Sequence, residues 1–172
     1  MFDDADIDSA VNGSVAGIFA ASGQSCVAGS RLYLHEAIAD RFLEKMTGIA
    51  NSIRIGDPQE DDTQMGPLCT EAQIRHIEAQ LTRAVEQGGR IIAGGSRVSD
   101  QDGLFFQPTI IECPDPAMDI VDTELFGPVL SVMKFETEQE VIKKMNDNQY
   151  GLSSGVYTKD LGRGMRVSKA IR

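Results

Sequence analysis

A chain of 172 residues, 41% of them hydrophobic, is long enough to bury one sizeable core, so we expect a single globular domain. Its formal net charge of −10 argues against nucleic acid or an anionic membrane as a partner. No apolar run approaches the ~20 residues of a membrane-spanning helix, and no signal-peptide pattern opens the chain, so we expect a cytoplasmic protein.

Helical and strand patterns alternate along the chain. Apolar residues at helical spacing, with cap signals at Thr70 and Thr137, predict helices over residues 6–22, 36–53, 70–88, 137–146 and from 161 onward. Apolar runs between turn signals predict strands over residues 31–35, 90–93, 105–112, 129–135 and 156–158. Glycine and serine in residues 94–103 indicate a hairpin-like excursion.

This alternation predicts an α/β fold with a mainly parallel open sheet and helices on both faces. The chain contains no internal repeat and no low-complexity segment, so one domain should hold all 172 residues. Ligands of such sheets gather beyond the carboxyl ends of the strands, where we expect the functional site.

The most informative single residue is Cys26, which follows the first predicted helix. Gly23 breaks that helix, and Cys26 then stands in a loop of small residues before the strand at residues 31–35. Such an arrangement can hold a nucleophile steady, and a thiolate reacts readily with a carbonyl carbon. The alternative is that Cys26 is a small buried hydrophobe, the commonest role of an unpaired cysteine.

The other cysteines, the acidic residues and the histidines give weaker evidence for a functional site. Cys26, Cys69 and Cys113 are odd in number and widely spaced, which disfavours a disulfide framework, and we interpret the last two as structural. The acidic residues 60–62 are too few and too close together for a metal site, so none is predicted. His35 and His76 are the possible bases of a cysteine hydrolase, but we interpret both as ordinary boundary or surface histidines.

Five sequence blocks follow one another in the order found in one enzyme family. The block GQSCVAGSR (residues 23–31) resembles the nucleophile segment of the NAD(P)-dependent aldehyde dehydrogenase superfamily, and ELFGPV (residues 124–129) resembles its second signature. The three weaker blocks are MGPL (65–68), GLFFQPTI (103–110) and YGLSSGV (150–156). The resemblance therefore covers essentially the whole chain.

The resemblance implies oxidation of an aldehyde to a carboxylic acid, with NAD or NADP as cofactor. It makes Cys26 the nucleophile of a thiohemiacetal and thioester pathway, with its own backbone N–H as one oxyanion donor. It assigns Glu124 to the hydroxyls of the nicotinamide ribose, which a carboxylate suits because it accepts two hydrogen bonds. It places Phe126 near the nicotinamide. The alternative is that Glu124 caps a helix or faces solvent while Phe126 belongs to the core.

Members of this family are far longer than 172 residues. Their phosphate-binding glycine turn, general-base Glu and oxyanion Asn precede the nucleophile, in segments without a match here. We therefore expect residues 1–172 to be one catalytic domain without the cofactor-binding domain or the C-terminal oligomerisation segment of a homo-oligomeric parent. On this basis the isolated chain binds NAD or NADP weakly or not at all and is inactive. The alternative is a non-catalytic, stand-alone remnant that acts as a structural or interaction module.

Overall fold

The computed structural model describes residues 1–99 and 102–172, and these residues form six α-helices and four strands. The helices are α1 (Ile7–Phe19), α2 (Glu36–Ser52), α3 (Glu71–Glu86), α4 (Asp119–Asp122), α5 (Glu138–Asn146) and α6 (Leu161–Ala170). The strands are β1 (Arg31–His35), β2 (Arg90–Ala93), β3 (Thr109–Glu112) and β4 (Val129–Phe135). None of the helices in these two ranges is both long and apolar enough to cross a membrane.

The four strands form one sheet in the order β1-β4-β3-β2. Strand β4 runs parallel to both of its neighbours, with Leu32 beside Val132 and Ile110 beside Leu130. The edge strand β2 pairs antiparallel with β3, because the two are joined by the excursion predicted for residues 94–103. Two of that segment's residues, 100 and 101, lie outside the described ranges. The prediction of a mainly parallel open sheet is confirmed.

Helices cover both faces of this sheet, as predicted. Alternate strand residues point in opposite directions, so Leu32 and Leu34 pack into the core formed with α1 and α2. Tyr33 points the other way, into the core formed with α3, α5 and α6. Because both faces are covered, the strands are near-continuous apolar runs rather than alternating ones. Strand β4 is the clearest example, since six of its seven residues are buried.

Two predicted boundaries and one predicted strand are wrong. The first helix ends at Phe19 rather than at residue 22, because the backbone leaves the helical region at Ala20. The strand predicted for residues 105–112 begins only at Thr109, since Pro108 has no N–H to donate to a ladder. Residues 156–158 form no strand in the described structure. Hydrogen bonds from Phe2 N–H to Tyr157 O (3.0 Å) and from Thr158 Oγ1 to Asp4 Oδ1 (2.8 Å) tie that segment to the start of the chain.

Candidate active site

A cleft of about 770 Å³ brings together the three residues singled out by sequence, since Cys26, Glu124 and Phe126 all line it. They lie in the segments that lead into β1 and β4, which are parallel neighbours, so the amino ends of these strands adjoin. The hydrogen bond from Ser131 N–H to Ser30 O (2.9 Å) marks the junction. Cys26, Glu124 and Phe126 therefore precede these strands rather than follow them. The expectation that the site lies beyond the carboxyl ends is wrong for these three residues.

We call residues 20–30, which carry Cys26, the thiol loop. After α1 the backbone passes through three consecutive left-handed residues, with φ of 49° at Ala21, 54° at Ser22 and 68° at Gly23. This conformation costs on the order of 1–3 kcal/mol at a non-glycine residue and persists only where surrounding contacts enforce it. The early end of α1 thus coincides with a strained turn that presents the thiol.

Beyond that turn, Cys26 is exposed in a tight bend closed by a hydrogen bond from Ala28 N–H to Ser25 O (3.1 Å). Gly29 N–H donates to Gly17 O (2.9 Å) and so attaches the end of the loop to α1. The N–H groups of Cys26 and Val27 have no acceptor among the described residues. The loop therefore offers a thiol together with unused backbone donors beside it.

We call residues 124–128 the Glu124 turn. Glu124 and Phe126 are exposed on either side of the buried Leu125, and 38% of the surface of Phe126 is accessible to solvent. Phe126 is also left-handed, with φ of 50°. The alternative that Phe126 belongs to the core is therefore excluded. The alternative that Glu124 merely faces solvent is compatible with its exposure, although the side chain borders the cleft.

The backbone of the Glu124 turn is held by side chains from two other segments. From α3, His76 Nε2 lies 3.2 Å from Glu124 O, and Gln73 Nε2 donates to Leu125 O. From the loop after α5, Tyr150 Oη accepts a hydrogen bond from Glu124 N–H (3.2 Å). The turn that presents the candidate ribose ligand is therefore fixed on both sides.

Arg31, which directly follows the thiol loop, contacts residues near the Glu124 turn. Its guanidinium carbon lies 4.7 Å from the centroid of the Tyr150 ring, within the range of a cation–π contact. Its Nε donates to Val121 O, at the end of α4. Arg31 therefore ties the first residue of β1 to the residues that precede and support the Glu124 turn.

The thiol loop and the Glu124 turn also touch directly, backbone against backbone. A Cβ atom built on Gly23 would lie 2.1 Å from Gly127 O and 2.8 Å from Pro128 N. One built on Gly127 would lie 2.4 Å from Cδ1 of Ile77, in α3. Only glycine allows this approach at Gly23, since its φ is also left-handed.

The remaining candidate residues lie elsewhere or are unreactive. Neither His35 nor His76 lines the cleft in the described structure, and His35 instead caps α2 by accepting the Ala37 N–H (3.2 Å). Cys113 is buried, and this burial raises the pKa of its thiol to about 11. Cys69 is exposed outside the cleft. Across residues 1–99 and 102–172 no group of three or more His, Cys, Asp or Glu side chains could hold a metal ion.

Sequence reasoning missed most of the supporting residues. At the predicted cap, Gln73 N–H donates to Thr70 Oγ1 (3.1 Å), but the side chain of Gln73 also donates to Leu125 O in the Glu124 turn, which the cap signal does not indicate. Tyr150 opens the sequence block at residues 150–156 and lines the cleft, but that block does not indicate its hydrogen bond with Glu124 N–H. These contacts join residues far apart in sequence, so no local sequence pattern predicts them.

Comparison with known proteins identifies the family of the chain. Residues 1–172 match the model of the aldehyde dehydrogenase family. All of the chain aligns, at 49% identity over 173 residues, with 35% of (Z)-2-((N-methylformamido)methylene)-5-hydroxybutyrolactone dehydrogenase from Acinetobacter baylyi. Betaine aldehyde dehydrogenase from Cereibacter sphaeroides is 40% identical over 167 residues, which are 97% of this chain and 34% of that protein.

Solved structures agree. The NAD+ complex of betaine aldehyde dehydrogenase from Staphylococcus aureus superposes with a TM-score of 0.95 at 40% identity, covering 99% of this chain and 34% of that one. PnpE from Pseudomonas sp. WBC-3 gives a TM-score of 0.96 at 40% identity, with 99% and 35% covered. The chain spans about a third of the length of the curated relatives it matches. It belongs to the aldehyde dehydrogenase family.

Proposed function

We propose that this chain supplies the nucleophile and part of the cofactor site for oxidation of an aldehyde to a carboxylic acid with NAD+ or NADP+. The observation that carries the proposal is the meeting of Cys26, Glu124 and Phe126 in one cleft, from segments far apart in sequence. Family membership makes an oxidoreductase the reaction class to test first. The name of one relative supplies an aldehyde to test, betaine aldehyde.

Cys26 would form the new covalent bond. Its thiolate adds to the carbonyl carbon of the aldehyde, and the carbonyl oxygen becomes the oxyanion of a thiohemiacetal. The unpartnered N–H of Cys26 is available to donate to that oxyanion, and loss of one such donor costs about 10²–10³ in rate. After the carbon has lost hydride, a thioester remains on Cys26, and water cleaves it to the carboxylic acid and the free thiol.

The residues of the Glu124 turn fit a nicotinamide nucleoside. Glu124 is an exposed carboxylate on a backbone fixed from two sides, as a ligand for a vicinal diol must be. Phe126 keeps its aromatic ring partly exposed at the cleft, where the ring is available to pack against the face of a nicotinamide. When bound, the cofactor accepts the hydride that leaves the substrate carbon.

The test supplies the rest of the enzyme from a relative. The 172 residues replace the matching third of the Acinetobacter baylyi dehydrogenase, and aldehyde-dependent NADH formation is measured with a panel that includes betaine aldehyde. We expect activity in this chimera, a loss on the order of 10⁴-fold in its Cys26→Ser variant, and little change in its Cys69→Ser control.

Two results would count against the proposal. Equal activity in the Cys26→Ser chimera would show that Cys26 is not the nucleophile. A folded chimera without activity towards any aldehyde would favour the non-catalytic module instead. The 172 residues alone should bind NAD+ weakly or not at all and form no NADH, since they correspond to about a third of each relative.

A further inference from the structure

The thiol loop is held to a distant segment by two hydrogen bonds. We call residues 66–69, which lie just before α3, the brace. Ser22 is buried, and its Oγ donates to Gly66 O at 2.8 Å. Gln24 Oε1 accepts the backbone N–H of Cys69 at 2.9 Å. Both bonds join residues more than forty positions apart, so local folding does not produce them.

These bonds lie where the loop is most strained. Ser22 itself is left-handed, and Gln24 directly follows the third left-handed residue, Gly23. A strained backbone at non-glycine residues needs tertiary contacts to keep it in place. On one side that contact is the packing of Gly23 against Gly127, and on the other it is the brace.

Gln24 is the brace contact closest to the reactive residue. Only Ser25 separates it from Cys26, and the bend closed by Ala28 N–H and Ser25 O begins directly after it. A side-chain anchor at this position fixes the direction of the peptide groups that follow. Among those groups is the N–H of Cys26, which has no acceptor in the described structure.

We propose that Gln24 is a positioning residue that orients the Cys26 N–H as an oxyanion donor through its hydrogen bond to the brace. This proposal rests on the proposed function, because it assumes that Cys26 attacks a carbonyl group. It predicts that loss of the bond slows reactions that build an oxyanion at Cys26 and spares reactions that do not.

Two reagents separate these cases in the 172-residue chain itself. With p-nitrophenyl acetate the Cys26 thiolate attacks the ester carbonyl carbon, the carbon–oxygen bond breaks, and p-nitrophenolate leaves with its electron pair. A thioester remains, and an oxyanion forms on the way. With iodoacetamide the same thiolate displaces iodide from a saturated carbon, and no oxyanion forms. The ratio of the two rates at Cys26 cancels any change in the fraction of thiolate.

The variants differ in one hydrogen-bond acceptor. Gln24→Met keeps the length of the side chain and removes the oxygen, whereas Gln24→Glu retains an oxygen of the same reach. We expect the ratio of acylation to alkylation to fall about tenfold or more in Gln24→Met and to return in Gln24→Glu. Cys113 reports on folding in each sample, because it is buried and should alkylate only if the chain opens.

The outcomes distinguish the two proposals. An unchanged ratio in folded Gln24→Met, or a ratio that Gln24→Glu fails to restore, overturns the role of Gln24 and leaves the proposed function standing. If the unaltered chain forms no thioester at Cys26, carbonyl chemistry at that residue fails, and the positioning role falls with it.

Discussion

Replacement of Gly23 by alanine should separate the two halves of the cleft. Gly23 lies at φ of 68°, and its Cβ would stand 2.1 Å from the Gly127 carbonyl oxygen. A carbon atom approaches such an oxygen to about 3.3 Å, so the backbones must move apart by roughly 1 Å. That movement would carry Cys26 away from Glu124.

The cost has two parts. Left-handed backbone at alanine costs about 1–2 kcal/mol relative to glycine. Overpacking of a tight contact typically costs another 1–3 kcal/mol, here against backbone atoms that cannot rotate away. A total of about 3 kcal/mol corresponds to a fall in Tm of roughly 6–12 °C for a chain of this size. A displacement of 1 Å also costs up to about 10²-fold in rate where geometry matters, so acylation of Cys26 should slow.

Thermal unfolding followed by circular dichroism, together with the rate of acylation by p-nitrophenyl acetate, tests this reasoning. Gly29→Ala is the matched control, because Gly29 lies in the same loop and nothing stands within 4 Å of its Cβ position. We expect Gly29→Ala to resemble the unaltered chain in both measurements. A Gly23→Ala variant with unchanged Tm and unchanged acylation would refute the claim that this contact sets the geometry of the cleft.

Three further predictions concern other parts of the molecule. In mass mapping after brief iodoacetamide treatment, the cysteine of the thiol loop should be labelled first and Cys113 last, because burial raises the pKa of the latter to about 11; the reverse order would contradict the exposure of the loop. Tyr150→Phe should speed hydrogen exchange at the Glu124 amide, measured by NMR, since it removes the acceptor of that N–H; equal exchange would show that the bond contributes no protection. The hydrogen bond from Arg166 lowers the pKa of the Glu138 carboxyl below its ordinary 4.5, so its contribution to stability is present above about pH 4.5 and is lost as the pH falls through the lower folded-state value. Glu138→Gln should therefore lower Tm at pH 7, with a deficit that shrinks as the pH falls below 4.5, and a deficit that does not change with pH would argue against the ion pair.

Local patterns predicted the elements that depend on local physics. The caps at Thr70 and Thr137 fix helix starts through bonds within four residues, and the structure confirms both. The core strand β4 is an uninterrupted apolar run, so it too is visible in the sequence. The fold class follows because an α/β sheet needs only the alternation of such elements.

The features that sequence could not supply depend on distant contacts. The end of α1 at Phe19 is one example, since Ala21 and Ser22 are ordinary helix residues that the brace and the packing of Gly23 force into a left-handed turn. The site is another. The thiol loop and the Glu124 turn lead into neighbouring parallel strands, so they meet at the amino ends of those strands. The general rule for open α/β sheets places ligand sites at the carboxyl ends instead.

The most direct test of the central claim, that Cys26 is a nucleophile for carbonyl carbon, is the location of the acetyl group after the folded chain reacts with p-nitrophenyl acetate. Peptide mass mapping should find a hydroxylamine-sensitive thioester on Cys26 before any other residue is modified. Acetylation of Cys69 or of lysine side chains, with Cys26 left free, would contradict the account.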